Sequence, residues 1–248
     1  RTFAKPNQLD KFERKVVISG IGMSEVGRRL GRDPLGLMVD ACLAAIEDAG
    51  LSTDDIDGLS SYPGVSLGGL SGANGGGIMN LEEALRVRPT WFGSGLETSG
   101  QTGAVVNAML AVHAGLARHV LCVRGVWEST FQAMERSGEI RGGGGARVSG
   151  EMEWRLPYGA FSAANWIAMM ANRHMQTFGT TREQLGAIAV NARANAVLNP
   201  NAVYREPLTL DEYLGARTIT TPFGLYDCDV PCDGAVAVVV SHVDTVPD

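Results

Sequence analysis

Histidine is scarce in this 248-residue sequence, which has four. Its four histidines are not paired with a nearby carboxylate, nor with each other at metal-site spacing. Its four cysteines lack the two-pair spacing of a zinc site, and those in apolar stretches are expected to be small core residues. The sequence therefore predicts no metal site. The residues in question are His113, His119, His174, His242, Cys42, Cys122, Cys228 and Cys232.

A hydroxyl nucleophile would be expected where a strand turns into a helix, and the glycine-flanked Ser94 and Ser99 occupy such a turn. Neither serine matches the full Gly-x-Ser-x-Gly elbow of a serine hydrolase. The helix predicted over 98–116 would direct its first N–H groups at a ligand, a favourable setting for a negatively charged oxygen. The alternative is that Thr98 or Ser99 only caps the helix, and these residues alone favour the cap.

The composition argues against several classes of protein. The net charge is −6 and lysine and arginine form no basic run, so a nucleic-acid partner is not expected. Hydrophobic residues make up 45% of the chain, enough for a sizeable core, and the 32 glycines follow no collagen period. No apolar run approaches the roughly 20 residues that span a bilayer, and no signal peptide is visible. We therefore expect a cytoplasmic protein without a membrane partner.

The first elements of the chain follow from apolar runs and capping residues. Residues 15–21 and 57–62 are predicted strands. Between them, Asp33 and Pro34 would begin a helix that Gly50 ends. This strand–helix–strand order makes a parallel sheet the first expectation.

Further strands and helices are predicted along the rest of the chain. Residues 119–125 and 235–241 are apolar, β-branched runs and are predicted strands. Capping boxes of the Thr-x-x-Gln or Thr-x-x-Glu type predict helix starts at Thr181 and Thr209. A further helix is predicted over 162–178, and the stretches at 63–80 and 127–160 are predicted to be loops.

Three segments together resemble the thiolase domain of sterol carrier protein X and the bacterial lipid-transfer-protein thiolases. The segment NPNAVYREPLTLDE (199–212) is similar to their asparagine-proline loop and the helix after it. Asp227-Cys228, followed by CDGA (232–235), is similar to their DC…SDGAAA strand entry. The opening KVVISGIGMSEVG and the later EDAGLSTDDIDGL resemble their first β-α-β unit, and the order of elements agrees over 15–241.

This resemblance implies an α/β, thiolase-like fold, in which a mixed five-stranded sheet with helices forms one thiolase half and carries an inserted loop domain. Residues 1–14 would be an N-terminal extension. Residues 15–126 and 221–248 would form the thiolase N-terminal half, and residues 127–220 the inserted loop domain. We expect the second thiolase half, which carries the family's histidine and second cysteine, to lie outside this sequence.

The position of the family's nucleophilic cysteine is occupied by another residue type here. Counting back without gaps from Gly115-Leu116-Ala117 places that position at Thr98, with Ser99 the nearest alternative. No cysteine occurs between Cys42 and Cys122. A thiolate is both strongly nucleophilic and a good acyl acceptor, whereas a threonine hydroxyl without an adjacent base is neither. Covalent acyl transfer by this chain is therefore not expected.

The chain resembles in this respect the cysteine-less bacterial steroid side-chain aldolases. This implies a carbon–carbon lyase that cleaves a β-hydroxyacyl-CoA by retro-aldol chemistry, with a steroid side chain as one candidate, beside a small DUF35/OB-fold partner. Such cleavage needs a base and stabilisation of an enolate, without a covalent intermediate. We expect the enolate region at Thr98, Ser99 and Gly100, a homodimer, a coenzyme A thioester as substrate and no covalently bound cofactor. In these aldolases the acid and base are tyrosines of the second half.

The inserted loop domain of the family lines the coenzyme A groove. Arginines there would meet phosphates, and aromatic side chains would meet the adenine or a steroid ring. The alternatives are an ordinary domain core for the aromatic residues and a solvated face for the arginines. The residues predicted to bind substrate are Arg147, Trp154, Tyr158, Phe161, Trp166 and Tyr204.

Two other functions stay open at this point. One is a 3-ketoacyl-CoA thiolase-like acyltransferase with a relocated nucleophile, which an acyl adduct on Thr98 or Ser99 would support. The other is a non-catalytic, thiolase-like scaffold subunit that shapes the active site of a partner. Substitution of Thr98 and of the aromatic residues of the loop domain without loss of activity in the complex would favour the scaffold.

Overall fold

The computed structural model describes residues 11–62, 77–94, 100–140, 152–160 and 162–246. The chain divides into two compact units. The first comprises residues 1–143 and 231–248, and the second comprises residues 144–230. The strands within the described residues are β1 (Val16–Met23), β2 (Gly58–Ser61), β3 (Trp91–Ser94), β4 (His119–Trp127), β5 (Thr218–Thr220), β6 (Phe223–Gly224) and β7 (Asp233–His242). The α-helices are α1 (Pro34–Asp48), α2 (Gly77–Leu85), α3 (Gly100–His113), α4 (Glu128–Ser137), α5 (Met152–Arg155), α6 (Ala163–Phe178), α7 (Arg182–Leu198) and α8 (Leu210–Leu214).

The first unit contains a mixed five-stranded sheet in the order β1-β7-β4-β2-β3. Strand β2 runs parallel to β3 and β4, whereas β7 runs antiparallel to both β1 and β4. The mixed five-stranded sheet implied by the family resemblance is therefore confirmed. The first expectation of a parallel sheet is wrong for β7, because that strand inserts between β1 and β4 in the opposite direction.

Helix α1 begins and ends at the predicted residues. The carboxylate of Asp33 accepts a hydrogen bond from the backbone N–H of Gly36 at 2.8 Å, and Pro34 occupies the first helical position. Gly50 follows the helix with a φ of +68°, a left-handed conformation that glycine adopts without strain. One face of α1 packs on the sheet through the buried residues Leu37, Met38, Ala41, Cys42, Ala45 and Ile46.

The backbone of β1 lies unusually close to α1, and two glycines permit this. A Cβ atom at Gly20 would lie 2.7 Å from the backbone nitrogen of Ala49. A Cβ atom at Gly22 would lie 2.9 Å from the carbonyl carbon of Ala44 and would overlap the carbonyl oxygen of Ala41. The side chains of α1 can therefore reach the neighbouring strands only because β1 carries no side chain at these points.

The opposite face of the sheet is covered by α3. Ala108 and Val112 of this helix belong to a second apolar cluster that also contains Val120 and Cys122 of β4 and Val240 of β7. Because side chains alternate along a strand, residues 120, 122, 124 and 126 of β4 share this face.

Three helices lie wholly or partly where the sequence predicted loops, and the short strands β5 and β6 were not predicted. Helix α2 begins at Gly77, inside the predicted loop at 63–80, and helix α5 lies inside the predicted loop at 127–160. Strand β3 is the strand implied before the turn at Ser94. Helix α4 starts directly after β4, so the loop predicted from residue 127 is wrong there. Its first N–H groups, those of Ser129 and Thr130, are bonded by Asp233, which no local pattern could reveal.

The second unit is mainly helical. The side chain of Thr181 accepts from the backbone N–H of Gln184 at 3.4 Å, and that of Thr209 accepts from the N–H of Glu212 at 3.2 Å. Both predicted capping boxes are thus confirmed as the starts of α7 and α8. Tyr213 of α8 is fully buried and donates its hydroxyl hydrogen bond to Asp227. Strands β5 and β6 pair with each other in a small antiparallel ladder.

None of the helices within the described residues is long and apolar enough to cross a membrane.

Candidate functional site

The carboxyl ends of three parallel strands meet at one edge of the first unit's sheet. The last register pairs place Ser61 of β2 beside Ser94 of β3 and Val123 of β4. In α/β proteins, ligands bind outside the carboxyl ends of parallel strands. The connection from β3 to α3 leaves this edge, and Thr98 and Ser99, predicted as site residues, fall in it outside the described residues.

Gly100 is the first residue of α3 and the one member of the predicted enolate region that the structure describes. Its φ is +52°, which disfavours any other L-residue. A Cβ atom here would lie 3.4 Å from two ring atoms of Tyr62, the residue that follows β2. The start of α3 is therefore packed directly against the carboxyl end of β2.

An apolar cavity of about 520 Å³ opens between α3, β4 and β7. Gln101 and Thr102, in the first turn of α3, line the cavity. Cys232, which directly precedes β7, lines it as well. Arg124 of β4 is the one charged side chain among the lining residues. The other lining residues are Val26, Ala104, Val105, Cys122, Val123, Val126, Gly234, Ala235, Val236, Ala237 and Val238.

Arg124 binds Tyr62 in two ways. Its Nη1 donates a hydrogen bond to the carbonyl oxygen of Tyr62 at 2.9 Å, and its guanidinium lies 5.1 Å from the centroid of the Tyr62 ring. Burial lowers the pKa of Arg124, while Tyr62 and Glu128 act in the opposite direction. Arginine is the most basic side chain in proteins, so the group stays a cation at neutral pH.

Three of the four described cysteines, Cys42, Cys122 and Cys228, are poor sources of a thiolate. Cys42 and Cys122 are buried as predicted, and burial raises the pKa of both thiols, that of Cys122 to about 12. Burial, followed by Asp227 and Asp229, also raises the pKa of Cys228, which lies in the second unit. Since the thiolate is the reactive form, these three side chains are poor nucleophiles at neutral pH.

His119, the buried histidine of the sheet, is held by hydrogen bonds to neighbouring side chains, in agreement with the structural role that was predicted for it. The Nδ1 atom of His119 lies 2.8 Å from the hydroxyl of Ser241, and its backbone N–H donates to Asp57 at 2.8 Å. Burial lowers the pKa of His119, which favours the neutral form of the ring. His119 begins β4, so it lies at the opposite end of the strand from Arg124.

The predicted substrate-binding residues are in the second unit. Those that the structure describes differ in their exposure and in their local contacts. Trp154 and Tyr158 are 77% and 84% exposed. Trp166 donates its indole N–H to the carbonyl of Ala160 at 2.8 Å and lies under Arg155, so it serves local packing. Tyr204 lies against Arg193, with 5.5 Å between the guanidinium and the ring centroid. Arg147 and Phe161 lie outside the described residues.

The sequence analysis missed Tyr62, Gln101, Thr102 and Arg124. One signal was present for Arg124, because it is a charged residue inside the otherwise apolar run HVLCVRGVW. The part of the chain that the structure describes holds no group of three or more histidine, cysteine and acidic residues arranged to bind a metal ion.

No protein-family model matches the chain. Over 239 residues it is 36% identical to a "steroid side-chain-cleaving aldolase" of Thermomonospora curvata, a match that covers 93% of this chain and 58% of that protein. Over 242 residues it is 32% identical to a "17-hydroxy-3-oxo-4-pregnene-20-carboxyl-CoA lyase" of Mycobacterium tuberculosis, covering 94% and 59%. The chain thus spans under two thirds of the length of these relatives.

The solved structure of an aldolase described as Ltp2–ChsH2(DUF35) superposes with a TM-score of 0.77 and 31% identity, over 94% of this chain and 58% of that one. An SCP2-thiolase-like protein of Mycobacterium smegmatis has a TM-score of 0.63 at 15% identity, over 94% and 48%, which shows the fold alone. The predicted resemblance is therefore confirmed: the chain has a thiolase-like fold and resembles the sterol-carrier and lipid-transfer branch of the thiolase superfamily, steroid side-chain-cleaving aldolases included.

Proposed function

We propose that this chain is part of a thiolase-fold carbon–carbon lyase that cleaves a β-hydroxyacyl-CoA by a retro-aldol reaction. The single observation that carries the proposal is the absence of a cysteine from the β3–α3 segment, where threonine occupies the nucleophile position. The raised pKa values of Cys42 and Cys122 support it, because neither thiol can replace the missing nucleophile. The names of the relatives agree with this chemistry.

The proposed reaction needs one proton removal and one carbon–carbon cleavage. A base takes the proton of the β-hydroxyl group, and the C–O bond becomes a carbonyl as the Cα–Cβ bond breaks. The electron pair of that bond moves into the thioester, which forms an enolate. Protonation of the enolate at Cα then gives a shortened acyl-CoA beside an aldehyde or ketone. No oxidant, reductant or free coenzyme A is consumed.

The enolate oxygen would be stabilised by N–H groups at the start of α3. The first N–H groups of a helix have no partner within it, and the helix dipole favours negative charge there. Gln101 and Thr102 lie in this first turn at the wall of the cavity, next to Gly100. Thr98, Ser99 and Gly100 are therefore proposed as this region of the site. Removing one oxyanion donor typically costs about 100-fold or more in kcat.

The acyl part and the partner are proposed from the names of the relatives, and the assembly from the family resemblance. We propose a bulky, steroid-like acyl group, a DUF35/OB-fold partner and a homodimer that is cytoplasmic. Residues 127–220 are proposed as the loop domain that receives coenzyme A, with the exposed Trp154 and Tyr158 and the half-buried Tyr204 as its candidate contacts. Trp166 is the weakest of these candidates, because it is already engaged locally.

A product assay tests the proposal. The full-length protein with its small partner is incubated with a β-hydroxyacyl-CoA without free coenzyme A. The expected products are a ketone or aldehyde and the shortened CoA thioester in equal amounts, measured by mass spectrometry. A requirement for free coenzyme A and a 3-oxo substrate would show thiolysis instead.

An acyltransferase is the second candidate function, because Cys232 does line the cavity. An electrophilic acyl-CoA analogue is expected to leave no adduct, since the mechanism forms no acyl-enzyme. Peptide mapping by mass spectrometry measures this, with a cysteine-dependent thiolase as the positive control. Stoichiometric labelling of Thr98, Ser99 or Cys232 would support the acyltransferase and contradict the lyase.

A further inference from the structure

We propose that Arg124 is a positioning residue that fixes the first turn of α3 by holding Tyr62 against Gly100, an inference that rests on the function proposed for this helix start. The three residues belong to three different elements. Arg124 lies on β4, Tyr62 follows β2, and Gly100 begins α3. Their contacts connect the carboxyl edge of the sheet to the helix that would stabilise the enolate.

The position of Arg124 in the sheet explains its contact with Tyr62. The register of β2 with β4 ends at Ser61 beside Val123. Arg124 is therefore one residue beyond the last paired position, where the backbone of Tyr62 leaves the ladder. The guanidinium donates to that backbone carbonyl at 2.9 Å, and the Tyr62 ring lies 5.1 Å from it. One side chain thus holds both the backbone and the ring of Tyr62.

The ring of Tyr62 in turn limits where α3 can begin. A Cβ atom at Gly100 would lie 3.4 Å from Cε1 and Cζ of the ring, so helix and ring are in direct contact. The left-handed φ of Gly100, +52°, is a second constraint at the same residue. If the ring moved, the first turn of α3 would lose the surface against which it is placed.

Chemistry that depends on this turn should be sensitive to such a shift. A displacement of about 1 Å in a group that stabilises a transition state can cost about 100-fold in rate. The cost falls on kcat rather than KM when the lost interaction is made mainly in the transition state. Lysine cannot reproduce the planar guanidinium contact, although it keeps the charge and a donor.

The test compares Arg124→Met, Arg124→Lys and Tyr62→Leu in the full-length protein with its partner. We expect Arg124→Met and Tyr62→Leu to lower kcat about 100-fold with KM changed less than about threefold, and Arg124→Lys to recover part of kcat. Arg182→Met is the matched control, because Arg182 also donates to a backbone carbonyl and lies 4.9 Å from a tyrosine ring, that of Tyr213, in the other unit. It should lower stability but leave kcat of the folded protein near that of the wild type.

Amide hydrogen exchange separates this inference from the proposed function. In Arg124→Met, the peptide covering 100–107 should exchange about tenfold faster, whereas residues 108–113 should change less than about twofold. Unchanged exchange at 100–107, or a loss confined to KM, would overturn the positioning role. If the wild type cleaves no β-hydroxyacyl-CoA, the proposed function fails, and the exchange result alone still decides whether Arg124 fixes the helix start. Should Arg124→Met fail to fold, Arg124→Lys and Tyr62→Leu provide the same comparison.

Discussion

Replacing Asp233 with alanine is expected to lower the free energy of unfolding by about 4 kcal/mol or more. Asp233 is fully buried, and its Oδ1 accepts hydrogen bonds from the backbone N–H groups of Ser129 and Thr130 at 3.0 and 3.1 Å. Its Oδ2 accepts from the N–H of Leu30 at 3.0 Å and from the hydroxyl of Thr130. Alanine would leave three N–H groups without this acceptor, two of them buried and that of Leu30 partly buried. Each orphaned buried group costs about 1–3 kcal/mol.

Asp233→Asn is the more conservative change and tests the charge itself. One amide oxygen can still accept, but the NH₂ group would face a donor, so we expect a loss of about 2 kcal/mol. Asp54→Asn is the control, since Asp54 is an exposed carboxylate and its substitution should change stability by less than about 0.5 kcal/mol. Urea-induced unfolding measures all three variants. A loss below 1 kcal/mol for Asp233→Ala would contradict the role assigned to this carboxylate.

The same carboxylate predicts a dependence of stability on pH. Burial alone would raise the pKa of Asp233, but the hydrogen bonds from Thr130, Leu30 and Ser129 outweigh it and lower the pKa. A lowered pKa in the folded state gives stability that is present above the unfolded value of about 3.9 and lost as the pH falls through the folded pKa. The stability difference between the wild type and Asp233→Asn should therefore shrink below about pH 4. A difference that is constant between pH 3 and pH 7 would show that the charge does not matter.

Replacing Gly22 with alanine is expected to cost about 3 kcal/mol of folding free energy. The new methyl group would lie 2.9 Å from the carbonyl carbon of Ala44 and would overlap backbone atoms of Ala41 and Ala45. Because these are backbone atoms of α1, no side-chain rotation relieves the overlap, and the helix must move away from its packing surface. Valine at this position should cost more than alanine.

Gly36→Ala provides a control of opposite sign. Gly36 lies in α1 itself, and an added Cβ atom there meets nothing closer than 3.6 Å. Alanine forms helix better than glycine by up to about 1 kcal/mol, so this variant should be slightly more stable than the wild type. Thermal and urea unfolding of both variants measure the difference. Equal stability of Gly22→Ala and the wild type would refute the close helix–strand contact.

The elements that were predictable are those whose signals are local. Asp33 and Pro34 begin α1, and Thr181 begins α7, because each cap bonds to N–H groups only a few residues away. The start of α4 could not be found in this way, since its N–H groups are bonded by Asp233, 104 residues from Ser129 along the chain. The antiparallel direction of β7 could not be predicted either, because it depends on where the chain re-enters the sheet between β1 and β4. An apolar, β-branched run predicts a strand but not its neighbours.

The candidate site was predictable only in part for a similar reason. The sequence predicted a helix over 98–116, and α3 is described from Gly100 to His113. The family resemblance placed the missing cysteine at Thr98, which stays a prediction. Neither indicated Tyr62 or Arg124, because the contact between those residues exists only once β2 and β4 are paired. The aromatic residues of the second unit were predicted to bind substrate from their residue type alone. The structure shows that Trp154 and Tyr158 are exposed, whereas Trp166 is hydrogen-bonded locally.

The measurement that tests the central claim most directly is the fate of Cα during cleavage in deuterium oxide. The full-length protein with its partner is given a β-hydroxyacyl-CoA without free coenzyme A, and the shortened thioester is analysed by mass spectrometry. A retro-aldol reaction predicts one carbonyl product per turnover and one deuterium at Cα of the thioester, since solvent protonates the enolate. No cleavage of the β-hydroxyacyl-CoA, together with cleavage of the matching 3-oxoacyl-CoA into two thioesters when free coenzyme A is added, would contradict the account.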